Sequence, residues 1–235
     1  MKYKNKTIGI LGGMGPIASA TLYARILSYS QQNYGAVQDS DYPPIVINSL
    51  TLDGFDETGI VNPELVKKQL IEGVVKLEKA GCHLIIIGCN TVHIFYKEMQ
   101  NSVKIPILNI VEETKNEVLA HRYRTVGLFA SESTLKTKLY QNIFSKSGII
   151  TITANANQQK ILNLVIEHVM GGNQKVQDII ALKEIARDFL KQGAEAVVMG
   201  CTEIPLAINQ THTDVKLFDT IEIIARSAVD FSLKK

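Results

Sequence analysis

The segment LIIIGC at Leu84–Cys89 returns later in the chain as AVVMGC at Ala196–Cys201, and this repeat is the strongest indication of the fold. In both copies a Lys-x-Gly pattern precedes four apolar residues and a Gly-Cys pair. Continuous apolar runs of this length are typical of strands buried on both faces of a parallel sheet. The repeat therefore predicts two halves of similar architecture, each with a cysteine at the end of a strand.

Two further matches occur in the same order along the chain. The segment Thr7–Leu11 (TIGIL) returns as Thr125–Phe129 (TVGLF), and Pro106–Ile110 (PILNI) returns as Leu217–Ile221 (LFDTI). Other short apolar runs predict strands at Ile45–Ile47 and at residues 149–152. Between the strands, the sequence predicts amphipathic helices, the clearest of which starts at an Asn-Pro-Glu cap at residues 62–64 and ends at residue 81, with another over residues 175–191.

Strands that alternate with helices predict the α/β class with right-handed crossovers. We expect two similar α/β domains with mostly parallel sheets, related by a pseudo-twofold axis, with the active site in the cleft between them. Residues 1–112 and 213–235 are predicted to form the first domain, and residues 113–212 the second.

The composition favours a small-molecule partner. Apolar residues make up 46% of the chain and charged residues 20%, and the net charge is +2, with Lys and Arg scattered rather than clustered. We therefore expect neither nucleic-acid nor membrane binding. The three cysteines form no CxxC pair, and the start of the chain does not resemble a signal sequence. Both observations favour free thiols in the cytoplasm.

The two repeated cysteines are the candidate catalytic residues. In open parallel sheets, ligands bind at the carboxyl ends of strands, where Cys89 and Cys201 both fall. If the halves face each other, the two thiols meet across the cleft. Inverting a carbon centre next to a carboxylate needs a base on one face and an acid on the other, and two thiols can supply both. A helix N-terminus beside each thiol would lower its pKa towards neutral pH.

The residues that follow each cysteine are candidates for substrate binding. Hydroxyl, amide and backbone N–H groups at a helix start could hold a carboxylate and the charge that develops on it. Ser and Thr residues after the repeated strand at 125–129 could add donors, and the glycine turn GGMGP at residues 12–16 allows close backbone approach. The predicted substrate-binding residues are Met14, Asn90, Thr91, Ser131, Thr134, Thr202 and Glu203.

Other roles compete for some of these residues. We assign Cys82 to packing, because free cysteine is among the most buried residue types. Cys89 and His93 are four residues apart and could bind zinc or act as nucleophile and base, or His93 could be a core histidine or a partner that orients Cys89. Glu203 could serve only as a helix N-terminal charge, or it could orient Cys201 or raise its pKa. No metal and no cofactor is expected.

Three motifs resemble the aspartate/glutamate racemase superfamily, in particular its aspartate racemase branch. They are GILGGMGP at Gly9–Pro16, GCNTVH at Gly88–His93 and GCTEIPL at Gly200–Leu206. The resemblance implies an amino-acid racemase without pyridoxal phosphate, a homodimer, and a C-terminal helix that returns to the first domain. It implies that Cys89 acts on the D isomer and Cys201 on the L isomer. It also implies that the α-carboxylate is held by Asn90, Thr91, Ser131, Thr134 and Thr202.

Two departures from the aspartate-specific pattern concern the distal carboxylate of the substrate. The loop Ser49–Asp56, where that pattern has an arginine, contains no basic residue, and Met170 aligns with the expected lysine. We therefore predict that a neutral or basic amino acid is turned over at least as well as aspartate, unless Lys160, Lys175 or a partner subunit supplies the cation. Other members of the superfamily, such as hydantoin racemase and maleate isomerase, remain alternatives, as does an inactive binding module.

Overall fold

The structure is a computed structural model that describes residues 6–56 and 59–233, with only the backbone of Asp56. The first five residues and the last two, which the predicted domain ranges include, lie outside the described residues. Within those ranges no helix is both long and apolar enough to cross a membrane.

The chain alternates strands and helices throughout. The strands are β1 (Ile8–Gly12), β2 (Ile45–Ser49), β3 (Phe55–Asp56), β4 (Gly59–Ile60), β5 (Leu84–Ile87), β6 (Thr125–Phe129), β7 (Ile150–Thr153), β8 (Ala196–Met199) and β9 (Leu217–Asp219). The α-helices are α1 (Pro16–Tyr34), α2 (Pro63–Lys79), α3 (Tyr96–Asn101), α4 (Ile110–Ala120), α5 (Glu132–Lys136), α6 (Leu139–Phe144), α7 (Ala156–Met170), α8 (Val176–Lys191), α9 (Ile204–Ala207) and α10 (Thr220–Leu233).

Two parallel sheets carry the fold, and their strands run in matching order. The first sheet has the order β2-β1-β5, and the second has the order β7-β6-β8-β9. A parallel bridge between Ile85 and Ile107 places residue 107 beside β5, as β9 lies beside β8. The predicted α/β class with mostly parallel sheets is therefore confirmed, and the repeated segments occupy equivalent places.

Local sequence explains why these elements form where they do. Every residue of β1, β5 and β8 is buried, as continuous apolar strands in a parallel sheet require. Helix α2 begins as its cap predicts, because the Asn62 side chain accepts a hydrogen bond from the N–H of Leu65 and proline occupies the first turn. The chain leaves that helix at Gly81, whose φ of +85° suits glycine.

The C-terminal segment divides between the two halves. Strand β9 pairs with β8 and so belongs to the second sheet, although the predicted boundary assigned residues 213–235 to the first half. Leu217 lies beside Val197 and both side chains are buried, so β9 extends the buried sheet by one strand. Helix α10 packs against α1 and α4. The division into domains itself stays a prediction.

Short turns follow both cysteines instead of long helices. A 3-10 helix at Thr91–Phe95 follows Cys89, and the four-residue α9 follows Cys201 after a turn. The sequence also did not predict the antiparallel hairpin of β3 and β4, which packs against α5. At Gly59, with φ of +114°, a Cβ would lie 2.3 Å from the Cβ of Ser133, so only glycine allows this close approach.

Candidate active site

The two repeated cysteines open onto one cavity. Cys89 follows β5 of the first sheet, Cys201 follows β8 of the second, and both line a cavity of about 150 Å³. Both thiols are free and buried. The cavity therefore lies between the two sheets, at the carboxyl ends of their strands, where parallel α/β folds bind ligands.

The Cys89 thiol is surrounded by neutral donors. The backbone N–H groups of Thr91 and Val92 and the hydroxyl of Thr91 contact it and lower its pKa. Burial outweighs them and, together with the nearby charge of Glu203, raises the pKa of Cys89 to about 12. The prediction that a helix start lowers this pKa is therefore wrong, because the single 3-10 turn cannot offset the desolvation. Cys89 is therefore a thiol at neutral pH.

A cluster of three hydroxyl groups lies beside Cys89. The Thr91 Oγ1 atom lies 3.2 Å from Ser131 Oγ and 2.9 Å from Thr134 Oγ1, and Ser131 Oγ donates to Thr134 Oγ1 over 3.0 Å. Thr91 and Ser131 line the cavity, whereas Thr134 is fully buried behind them. Thr91 belongs to the first half of the chain and Ser131 to the second, so this cluster joins the halves at the cavity wall.

The Asn90 side chain belongs to a second network that links the halves. The hydroxyl of Tyr140 donates to Asn90 Oδ1 over 2.6 Å, and Asn90 Nδ2 donates to Thr220 Oγ1 over 3.3 Å. Thr220 in turn donates to the carbonyl oxygen of Met199 over 2.8 Å. All of these side chains are buried. Asn90 lines the cavity, where its amide group can donate its second hydrogen to a ligand.

The Cys201 thiol has a carboxylate as its hydrogen-bond partner. Its Sγ atom donates to Glu203 Oε2 over 3.1 Å, and Thr202 Oγ1 donates to the same oxygen over 3.1 Å. Glu203 is only 8% exposed, and burial raises the pKa of its carboxyl. Burial first, and then the Glu203 charge, raise the pKa of Cys201 well above its usual range. The expectation that a helix start lowers this pKa is also wrong.

His93 supports the Cys89 loop rather than the thiol. Its Nδ1 atom lies 2.8 Å from the carbonyl oxygen of Cys89, which can only accept, so Nδ1 carries the hydrogen. Its Nε2 atom accepts from the backbone N–H of Ile110 over 3.3 Å. Burial lowers the pKa of His93 to about 4. The neutral ring thus ties the turn after β5 to the start of α4.

One wall of the cavity is apolar. It is formed by Leu52, Phe55, Ile166 and Met170, with Met14 nearby. Apart from the two cysteines, Glu203 is the one ionisable side chain among the described residues that line the cavity. Met170, which aligns with the expected lysine, therefore contributes an apolar side chain to the cavity wall.

Neither lysine proposed as a replacement cation lines the cavity. The Lys175 Nζ atom lies 3.1 Å from His168 Nε2, and Lys160 is exposed on α7. In the parts of the chain that the structure describes, no three His, Cys, Asp or Glu side chains are grouped to hold a metal ion.

Sequence reasoning missed several residues of the site. Leu52 and Phe55 come from the loop Ser49–Asp56, and Ile166 comes from the buried face of α7. Tyr140 is fully buried fifty positions from its partner Asn90. A mixed polar and apolar loop signals a pocket wall only weakly, and no sequence signal pairs a tyrosine with an asparagine so far away.

Comparison with known proteins identifies the family. Residues 11–228 match the model of the Asp/Glu/Hydantoin racemase family, and the chain belongs to that family. The predicted class, a racemase among the isomerases, is thereby confirmed.

Individual relatives match almost the whole chain. The broad specificity amino-acid racemase RacX of Bacillus subtilis (strain 168) is 32% identical over 222 residues, which cover 94% of this chain and 96% of the relative. An aspartate racemase homologue from Pyrococcus horikoshii OT3 has a TM-score of 0.82 at 28% identity, covering 97% and 99% of the two chains. An aspartate racemase of Picrophilus torridus shares the fold, with a TM-score of 0.79 at 23% identity, covering 98% and 96%.

Proposed function

We propose that this racemase inverts the α-carbon of an amino acid by proton transfer between Cys89 and Cys201, without a cofactor. The observation that carries the proposal is that both thiols, from equivalent strand ends of two sheets, line one cavity. One thiolate removes the α-proton while the opposite thiol protonates the other face. Following the resemblance, Cys89 acts on the D isomer and Cys201 on the L isomer.

In this proposal the α-carboxylate binds beside the hydroxyl cluster. Thr91 and Ser131 present hydroxyl groups to the cavity, Asn90 presents its second amide hydrogen, and Thr202 also lines the cavity. These donors also stabilise the charge that moves onto the carboxylate when the α-proton leaves. Thr134 acts from behind, because its hydroxyl fixes those of Thr91 and Ser131. Met14 contacts the substrate from the glycine turn.

The substrate side chain faces the apolar wall in this proposal. A distal carboxylate placed against Leu52, Phe55 and Met170 would have no cation among the described lining residues, and it would lie in a cavity that already contains Glu203. Losing a charge-assisted contact costs roughly 1.5–3 kcal/mol, about tenfold or more in kcat/KM. We therefore propose a neutral or basic amino acid as the preferred substrate.

The remaining expectations are part of the same proposal. The protein is proposed to be a cytoplasmic homodimer, with domains at residues 1–112 plus 213–235 and at residues 113–212, except that β9 within the first range pairs with the second sheet. Light scattering in solution measures the mass of the assembly, and a monomer of 26.0 kDa would contradict the dimer.

Replacing each thiol by serine tests the proposed mechanism. Cys89→Ser and Cys201→Ser should each lower the rate of net inversion by at least about a hundredfold, because a serine hydroxyl is a far weaker acid and base. Optical rotation follows inversion, and deuterium incorporation from D2O follows removal of the α-proton. Each variant should still exchange the α-proton of one enantiomer only. Full racemase activity in either variant would contradict the two-base mechanism.

A further inference from the structure

Both thiols carry a proton before the reaction starts, so one of them needs a proton acceptor. Burial keeps both Cys89 and Cys201 protonated at neutral pH, yet proton removal from a substrate needs a thiolate. One thiol must therefore give up its proton before it can act as a base. The two thiols differ in what lies within hydrogen-bond distance to accept it.

Around Cys89 the described contacts are donors. They are the N–H groups of Thr91 and Val92 and the Thr91 hydroxyl, which stabilise a thiolate once it exists but have no base strength. At Cys201 the contact is Glu203 Oε2, 3.1 Å from Sγ. Thr91 and Glu203 stand at equivalent places, each two residues after its cysteine. The same position thus supplies a neutral hydroxyl on one side and a carboxylate on the other.

The Glu203 carboxylate is held firmly in place. Oε2 accepts from Thr202 Oγ1 over 3.1 Å as well as from Cys201, and the backbone N–H of Gly15 also donates to the carboxylate. A Cβ at Gly15 would come within 2.8 Å of Oε1, so the glycine turn closes tightly over this group. The ionisable groups that face the pair are Cys89 across the cavity and Tyr140 behind Cys201.

We propose that Glu203 takes the proton of Cys201 and stores it during the reaction, so that Cys201 becomes the active base. This inference rests on the proposed two-thiol function. The S–H bond of Cys201 breaks and an O–H bond forms on Glu203 Oε2, which converts a thiol and a carboxylate into a thiolate and a carboxylic acid. The pair keeps one proton and one negative charge throughout.

The stored proton is returned when the cycle closes. Cys201 thiolate takes the α-proton, the electron pair stays on the substrate, and Cys89 gives its own proton to the opposite face. Cys89 is then the thiolate and Glu203 is still protonated, so solvent carries one proton between them to reset the site. In the opposite direction, Cys201 gives its proton to the substrate and recovers one from Glu203. Glu203 acts through Cys201 and is therefore a positioning residue.

The test places Glu203→Gln in two backgrounds that each keep one thiol. In Cys89→Ser, where Cys201 is the base, the substitution should slow α-proton exchange in D2O at pH 7 by about a hundredfold, because the acceptor is lost. In Cys201→Ser, where Cys89 is the base, the same substitution should slow exchange far less, because Glu203 contacts Cys201 and acts on Cys89 only through its charge. Glu203→Asp should partly restore exchange in the first background.

A second measurement uses the enzyme with both thiols. The two enantiomers have equal free energies, so kcat/KM must change equally in both directions, and the pH profile of kcat is the informative quantity. Glu203→Gln should move its rising limb to higher pH, because Cys201 must then lose its proton to solvent. Equal losses of exchange in both backgrounds, or an unshifted pH profile, would overturn the role of Glu203. Wild-type enzyme that inverts no amino acid would instead overturn the proposed function.

Discussion

The loops that follow β5 and β8 start alike and end differently. Each begins with a Gly-Cys pair at the end of a buried strand. After Cys89, the chain supplies hydroxyl and amide groups and the neutral His93; after Cys201, it supplies Glu203 and, at the place that corresponds to His93, Pro205. The repeat thus fixes where the two thiols lie, whereas the residues after them decide their surroundings.

This difference suits a reaction in which the two thiols exchange roles. If the two thiols had identical surroundings, their pKa values would be equal, and neither thiol would lose its proton more readily than the other. A carboxylate at one side offers a place for a proton within a buried site. Donors at the other side stabilise a thiolate without removing a proton. The asymmetry therefore separates the task of storing the proton from that of stabilising the opposite thiolate.

Outside the thiols, the largest effect is expected from His93, on the pH dependence of the free energy of unfolding. The loop after Cys201 has no histidine at the corresponding place. The folded protein holds the pKa of His93 at about 4, below the ordinary value of 6.5. The unfolded chain therefore binds this proton first as the pH falls, and protons favour unfolding. The free energy of unfolding should have its full value above pH 6.5. It should decrease by about 3 kcal/mol between pH 6.5 and 4, since each pKa unit corresponds to about 1.36 kcal/mol.

His93→Gln provides the comparison, because glutamine does not titrate in this range. Chemical unfolding at a series of pH values should show a weaker pH dependence for the variant than for wild type. Burial raises the pKa of Glu203 and Asp219, which gives a dependence of opposite sign, but both carboxyls are present in both proteins. NMR of the ring gives an independent check, since a protonated His93 at pH 6 would contradict the buried neutral tautomer.

A smaller effect, on substrate preference, is expected at Met170 in the apolar wall of the cavity. Met170→Lys should raise kcat/KM for L-aspartate relative to L-methionine by about tenfold, because it supplies a cation for the distal carboxylate. Met170→Gln is the matched control, with a polar but uncharged side chain of similar length. In the wild type, L-alanine, L-methionine and L-lysine should be turned over at least as well as L-aspartate and L-glutamate. A clearly higher kcat/KM for aspartate would contradict the proposal that the apolar wall favours a neutral or basic amino acid.

The sequence predicted the framework of this site better than its chemistry. Gly-Cys pairs after apolar runs located both thiols, because strand burial is a local property of the sequence. The surroundings of the thiols depend on packing between distant segments, as with Thr91 against Ser131 or Asn90 against Tyr140. The sign of the pKa shifts could not be predicted either, since it results from how completely the two sheets exclude water from the cavity.

Removing metal should have no effect, and this prediction decides between the two interpretations of the Cys89 loop. A zinc site built on Cys89, His93 and Cys201 would need a free imidazole nitrogen, but Nδ1 is bonded to the carbonyl oxygen of Cys89 and Nε2 to the N–H of Ile110. Binding zinc would break one of these buried contacts, at a cost of about 1–3 kcal/mol. Dialysis against a chelator should leave kcat/KM unchanged, and added zinc should not increase it. If the chelator abolished activity and zinc restored it, the Cys89 loop would be a metal site. That result would contradict the proposal that the two thiols act as acid and base.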